Sequence, residues 1–425
     1  MADHITGIVL ADLAVLLGVA YVFVKLAGRL GQPAVIGEIT AGIALGPSLL
    51  GLLPGDPSAL LFPAEARPYL QVLAQFGLVL FMFGVGYELS PTAIRDHGGQ
   101  VTLVSLTSVA VPFAMGMGLA VVLYPWFDRS QLRVDGVLGP ALFLGAAMSI
   151  TAFPVLARII TERGLHRSRL GSMALTSAAI QDFIAWCVLA VVVALVGSGG
   201  PAGLGRVAAG SVAFLLAMLY LVRPALAWVL APERTWAGNR TVAHTVVVCG
   251  VLTCAWTTDL IGLHVVFGAF LFGAVVPRDY IGALTPEVPD RVQQTSLLLM
   301  PAFFTVTGLS VDVGSLGGQG ALMVVAVVVV ACAGKFAGAG IAARLTGATG
   351  RDSAVLGVLL NTRGLTELVI LNVGLELGVL DSRLFTAMVV MALVTTVMAG
   401  PLLTRLVPAE PPVRYDPVPQ TPLTR

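Results

Sequence analysis

Residues 175–197 read LTSAAIQDFIAWCVLAVVVALVG, an apolar run long enough to cross a bilayer, with one carboxylate, Asp182, inside it. An ionised group at membrane depth costs about 2.5–3.5 kcal/mol on insertion scales unless it is paired, hydrated or protonated. Chains that keep such a group use it to bind an ion or carry a proton. Its neighbour, Gln181, brings a neutral amide in place of a second acid. The pair marks the class of the protein and the place where its chemistry is expected.

The rest of the chain agrees. It has 425 residues, 57% hydrophobic and only 11% charged, against about 25% charged in soluble domains. A water-soluble core cannot absorb that much apolar surface, so the chain reads as an all-α, polytopic membrane protein. The net charge of +1 gives no basic patch for nucleic acid. Cys187, Cys249, Cys254 and Cys332 all fall in apolar stretches and read as small core hydrophobes, not disulfides or zinc ligands.

Apolar runs separated by polar, Pro- or Gly-containing breaks predict about thirteen spans. Their expected limits are 5–29, 33–52, 69–89, 99–125, 136–162, 168–197, 204–230, 241–258, 262–276, 291–310, 319–345, 351–376 and 382–406. The N-terminus lacks a basic region and a small-residue cleavage site, so 5–29 reads as a retained span. Residues 1–406 then form one transmembrane unit, and the Pro-rich 407–425 reads as a short disordered cytoplasmic tail. With the N-terminus outside, Lys25, Arg29, Arg95, Arg163, Arg169, Arg278, Arg344, Arg351 and Arg405 all fall inside, whereas Arg67, Arg129, Arg133, Arg206 and Arg383 fall outside. That bias predicts a cell (inner) membrane protein with its N-terminus out and C-terminus in the cytoplasm.

Five charged residues are read as lying at membrane depth: Glu38, Asp182, Lys335, Arg363 and Glu367. Around them lie the polar interruptions. In GAAMSITAFPVLARIIT (145–161), Ser149, Thr151 and Pro154 cluster where Pro154 removes a backbone hydrogen bond, freeing carbonyls and the Thr151 hydroxyl to ligate a cation. In GVLLNTRGLTELVILNVG (357–374), Asn361, Thr362, Arg363, Gly364, Thr366 and Glu367 interrupt another span, and Arg363 and Glu367 stand four apart on one face. Two sets of five spans, 33–197 and 262–406, each hold a broken fourth member and start seven spans apart, which predicts inverted repeats. Lys335, in VVVVACAGKFAGAGIAARLTG (327–347), is expected to compensate Asp182, to bond Gln181 or to cap the broken twelfth span. GAGIAA (338–343) has no βαβ context and reads as helix packing; no cofactor is expected. Glu88 reads as interfacial, and His264, beside a short loop, as a solvated or core histidine with some potential for pH sensitivity.

PAVIGEITAGIALGPSLLG (33–51), LFMFGVGYELS (80–90), SITAFPVLARII (149–160), the Gln181–Asp182 pair, Lys335 and NTRGLTELVILNVG (361–374) together resemble the monovalent cation/proton antiporter family, second branch. That branch holds sodium/proton and potassium/proton exchangers and the membrane part of glutathione-gated potassium efflux systems. The resemblance implies a homodimer in the lipid bilayer, two crossed broken helices, and an elevator-like alternating-access cycle. It assigns Asp182 as the group that binds a monovalent cation (K+ or Na+) or H+ in turn, with Gln181, Thr151 and Ser149 as further ion ligands. Lys335, Arg363, Glu367 and Asn361 would compensate charge or stabilise the helix breaks. A glutamine where some electrogenic members carry a second acid implies electroneutral exchange and leans toward potassium. The rivals are an ion channel and a transport-inactive ion sensor. No nucleophile–base pair lies at membrane depth, so an enzyme is not expected.

Overall fold

The structure, a computed structural model, describes residues 2–88, 99–134, 136–163, 165, 168–197, 201–229, 240–277 and 287–406. Every regular element among them is helical: α1 (Ala2–Arg29), α2 (Ala34–Leu45), α3 (Arg67–Glu88), α4 (Gly99–Leu123), α5 (Leu138–Ser149), α6 (Phe153–Glu162), α7 (Arg169–Gly197), α8 (Pro201–Ala217, continued to Val229), α9 (Arg240–Ile261), α10 (Val265–Val275), α11 (Glu287–Leu309), α12 (Gly317–Lys335, continued to Leu345), α13 (Gly350–Leu360), α14 (Leu365–Glu376) and α15 (Ser382–Leu406), with short turns between. Nine helices among the described residues are long and apolar enough to cross a membrane, and the chain is a multi-pass membrane protein.

Local chemistry sets most helix ends. The span expected at 33–52 stops at Leu45, where Gly46 is extended; the chain turns and forms a short helix, Pro57–Leu61, capped by Asp56 accepting from the Ala59 amide. The span expected at 241–258 runs on to Ile261 and ends at Gly262, whose φ of 92° halts it. The span expected at 136–162 is two helices, α5 and α6, separated by extended residues, and Pro154 opens α6, where it needs no backbone N–H. The first four residues of GAGIAA lie in a π-helical stretch, Phe336–Ile341, that seats Gly338 against the Thr107 carbonyl. The tail at 407–425 lies outside the described residues.

Glycines bring the helices to backbone contact. A Cβ on Gly42 would come within 2.1 Å of the Thr305 carbonyl oxygen, joining α2 to α11, and one on Gly86 within 2.0 Å of the Phe270 oxygen, joining α3 to α10. A Cβ on Gly37 would meet the Phe23 oxygen of α1 at 2.7 Å, and one on Gly268 the Cys254 oxygen of α9 at 2.0 Å. Gly37 and Gly268 occupy the same register in α2 and α10, as do Gly42 and Gly273. Matched glycines thus serve matched contacts in the two halves of the chain.

The closer helix pairs fall into two groups. In one, α1 packs on α2, α2 and α3 on α11, and α3 and α9 on α10, with α8 against α9. In the other, α4 packs on α5, α7 and α12, α15 on α12, α13 and α14, and α6 on α7. Among these closer pairs, α7 with α8 joins the groups.

One reading of the cysteines is corrected. Cys254 is buried, but Cys187 and Cys249 are exposed on the helix surface and Cys332 is intermediate; all four are free. Lipid is as apolar as a protein core, so an apolar stretch does not say which face turns inward.

Candidate functional site

The break between α5 and α6 meets the break between α13 and α14 deep in the second group. The Thr151 hydroxyl donates to the Leu360 carbonyl (2.6 Å) and the Ala152 amide to the Thr362 carbonyl (3.1 Å). Gly364 makes the approach possible, since a Cβ there would lie 2.6 Å from Val155. The two interrupted helices therefore hold each other through the backbone groups that interruption frees.

The C-terminal end of α5 is fully accounted for. Its last turn presents carbonyls with no partner within the helix and a partial negative charge. The Ser149 hydroxyl donates to Ala146 O (2.7 Å), Arg363 Nη1 to Ala147 O (3.0 Å), Arg363 Nη2 to Met148 O (2.7 Å) and Lys335 Nζ to Ser149 O (2.6 Å). Two buried cations thus close one helix end. Lys335 and Arg363 are both fully buried. Of the alternatives open for Lys335 in the sequence, it bonds Gln181 and caps a broken helix, but that helix is the fifth span and not the twelfth. Nothing in the sequence says which helix end lies across from α12.

Among the described residues, four oxygens contact the Lys335 ammonium: Ser149 O, Thr151 Oγ1 (2.9 Å), Gln181 Oε1 (3.0 Å) and Ser108 O (3.1 Å). Gln181 Oε1 also accepts from Ser108 Oγ (3.2 Å) and lies 2.8 Å from Thr151 Oγ1, whose single proton goes to the Leu360 carbonyl. That environment fixes the amide orientation, because a swapped Nε2 would face the ammonium. Gln181 Nε2 is buried and has no hydrogen-bond partner among the described residues. Ser108, on α4, was not singled out in the sequence. A serine in a membrane helix is common packing chemistry, and only the fold turns it toward Lys335.

Arg363 and Glu367 pair at 3.3 Å, both fully buried. Thr396 of α15 brackets the Arg363 backbone, accepting from its N–H (3.0 Å) and donating to its carbonyl (2.7 Å). The Asn361 amide reaches Cys332 Sγ (3.5 Å), and its Oδ1 has no partner among the described residues. Ser149 enters the site through its carbonyl, since its hydroxyl is turned back to Ala146. Asp182 follows Gln181 on α7, and its side chain lies outside the described residues. The side chains of Pro154 and Glu88 lie outside them as well.

Two other membrane-depth acids lie away from the breaks. Glu38 is buried on α2, and Asp12, a further acid within an apolar span, is 4% exposed on α1. His264 is neither solvated nor simply core: it caps α10, accepting from the Val266 amide, and faces Glu376.

Residues 14–409 match the family model described as sodium/hydrogen exchanger, transmembrane. The chain is 39% identical over 407 residues to the Na(+)/H(+) antiporter NhaS4 of Synechocystis sp., covering 95% of this chain and 98% of that protein. It is 37% identical over 411 residues to cation/H(+) antiporter 20 of Arabidopsis thaliana (93% of this chain, 48% of that one). It is 32% identical over 381 residues to K(+)/H(+) antiporter 1 of Saccharomyces cerevisiae (87% and 42%). The chain therefore spans nearly all of the first relative and about half or less of the plant and yeast proteins. In fold it matches the sodium proton antiporter MjNhaP1 of Methanocaldococcus jannaschii with a TM-score of 0.66 at 14% identity, covering 94% of this chain and 97% of that one.

Proposed function

The chain belongs to the sodium/hydrogen exchanger family, and from that premise we propose that it is a secondary active antiporter exchanging a monovalent cation, potassium or sodium, for protons. The observation that carries this reading is the ring of four oxygens around the Lys335 ammonium where the two broken helices meet. Carbonyl, hydroxyl and amide oxygens at 2.6–3.1 Å are the ligands a dehydrated monovalent cation needs, and here they already hold one positive charge. Asp182, on the helix that carries Gln181, supplies the exchangeable charge: it binds the cation or a proton, never both. Thr151 and Gln181 complete the cation's shell, Ser149 contributes its carbonyl, and Arg363, Glu367 and Asn361 hold the breaks in place.

Alternating access follows from the two packing groups. The group α4–α7 with α12–α15 moves as the core; α1–α3 with α8–α11 is the scaffold and carries the contact between two copies. Residues 33–197 and 262–406 are inverted repeats, supported by the matched glycine contacts of α2 and α10. The N-terminus faces outward and the C-terminus the cytoplasm, supported by the distribution of arginine and lysine.

The test uses sealed liposomes, with internal pH followed as potassium, sodium or lithium is added outside. One cation drives proton movement at low concentration, and Asp182→Asn abolishes it. Persistence of cation-driven proton flux in that variant removes Asp182 from the mechanism. Uncoupled current in place of exchange identifies a channel.

A further inference from the structure

Away from the helix breaks, a small, open cleft lies between α14 on one side and α3, α10 and α11 on the other. Polar contacts cross it. Gln75 Nε2 donates to Glu376 Oε1 (3.3 Å), His264 Nε2 stands 3.6 Å from Glu376 Oε2, and Asn372 Nδ2 donates to Thr307 Oγ1 (3.0 Å). Asn372 and Glu376 are four apart, so one face of α14 carries both ties. These contacts join the two packing groups, which also meet where α7 packs on α8 and where Trp186 of α7 lies against Phe267 and Phe270 of α10. We propose that Glu376, His264 and Gln75 are positioning residues for exchange, forming a proton-responsive tie that holds α14 against the scaffold. The proposal rests on the antiport reading above, because a core that shifts must release this tie once in every cycle.

The chemistry fixes the sign. His264 Nδ1 accepts from the Val266 amide at 3.5 Å, so the neutral ring carries its proton on Nε2, the atom facing Glu376. A second proton lands on Nδ1, forfeits that long cap and turns the Glu376 contact into an ion pair. From α3 the cleft is faced by Gln71 and Gln75, and from α11 by Thr307 and Ser310, all neutral. Among the described residues that line it, His264 and Glu376 are the titratable ones. Acid therefore tightens the tie and alkali loosens it. The side chains are 15% and 52% exposed, so water screens the pair and its effect is limited to about three- to fivefold in the balance between held and released positions.

The experiment combines two readouts on full-length protein in liposomes, for wild type, His264→Gln, Glu376→Gln, the double variant and Gln75→Leu. The first is hydrogen–deuterium exchange of residues 365–376 at pH 6 and pH 8, corrected for intrinsic rates. The second is the pH profile of potassium- or sodium-driven proton flux. In the wild type, protection of α14 rises about three- to fivefold toward pH 6. Either Gln variant removes that rise and lifts the acid limb of the flux profile by a similar factor. The double variant adds nothing further. Gln75→Leu lowers protection at both pH values and leaves the pH dependence intact. Where the wild type shows cation-driven flux, profiles of the His264 and Glu376 variants that superpose on it overturn the proposal, whatever the protection shows. Protection that follows pH in a protein with no cation-driven flux upholds the tie and removes the antiport reading instead.

Discussion

The Lys335 ammonium donates to the Ser149 carbonyl across 2.6 Å, placing a fully buried cation on the negative end of an interrupted helix. The same ammonium reaches Gln181 and Thr151, so one side chain ties the helix end to α7 and to the break itself. Stability and chemistry are consequently coupled here, and substitutions should separate them.

Replacing Lys335 by Met keeps apolar volume and removes every donor. The Ser149 and Ser108 carbonyls and Gln181 Oε1 then lose their ammonium partner in a buried setting, a loss of about 3 kcal/mol. The melting temperature of the purified protein in detergent should fall clearly in Lys335→Met and in Lys335→Ala. A Met variant that melts with the wild type excludes the capping role.

Arg363 does two things and Glu367 one. The guanidinium pairs with Glu367 and also holds the carbonyls of Ala147 and Met148. Charge-assisted hydrogen bonds to carbonyls contribute about 1.5–3 kcal/mol each when buried. Arg363→Met should therefore destabilise by about 3 kcal/mol or more beyond Glu367→Gln, which retains an oxygen for the guanidinium. Equal losses in the two variants show that the carbonyl contacts contribute nothing beyond the ion pair.

The glycines divide into two kinds. Gly42→Ala and Gly86→Ala push a Cβ onto a neighbouring backbone oxygen, and the helices must separate, at a cost of about 1–3 kcal/mol or more. Gly18→Ala and Gly118→Ala meet nothing within 4 Å and should stabilise by about 0.5–1 kcal/mol through helix propensity. Thermal unfolding of the four variants side by side checks the contrast. Similar shifts in all of them contradict the backbone contacts.

Outside the membrane spans, the Asp128 carboxylate is held below the ordinary aspartate value by the Ser130 hydroxyl, then the Ser130 amide and Gln131. A folded-state pKa lowered in this way contributes stability that is present above the unfolded value and lost as pH falls through the folded one. The loop at 128–131, joined to the α14–α15 turn through the Asp128 amide and Asp381, should keep its structure at mildly acidic pH and open only below the usual carboxylate range. An NMR titration of the Ser130 amide should show one step there, absent in Asp128→Asn. A step at or above the ordinary value refutes this account.

Much of this could be read from residues alone. Apolar run length placed most helix ends to within a few residues, although the helix expected at 33–52 stops at Leu45, and against thirteen expected spans nine helices among the described residues are long and apolar enough to cross a membrane. The clustering of Ser149, Thr151 and Pro154, and of Asn361 to Glu367, located both helix breaks, because a membrane helix tolerates such residues only where backbone groups find other partners. The four-residue spacing of Arg363 and Glu367 gave their pairing. What the sequence could not supply were contacts between distant spans: Ser108 beside Gln181, Thr396 bracketing Arg363, and Gln75 reaching Glu376 across 301 positions. The outward-facing Cys187 and Cys249 were misread for a related reason, since hydropathy has no face.

By itself, then, the sequence determined that the chain enters the membrane, where its helices break and which rare polar groups go in with them, since each follows from the cost of placing charge and free backbone groups in hydrocarbon. Only the tertiary structure decided that two cations close the end of α5 and that Lys335 serves that break and not the other. Helix packing is set by close contacts, such as glycine against carbonyl, between residues hundreds of positions apart, and no local property of the chain encodes which surfaces will meet.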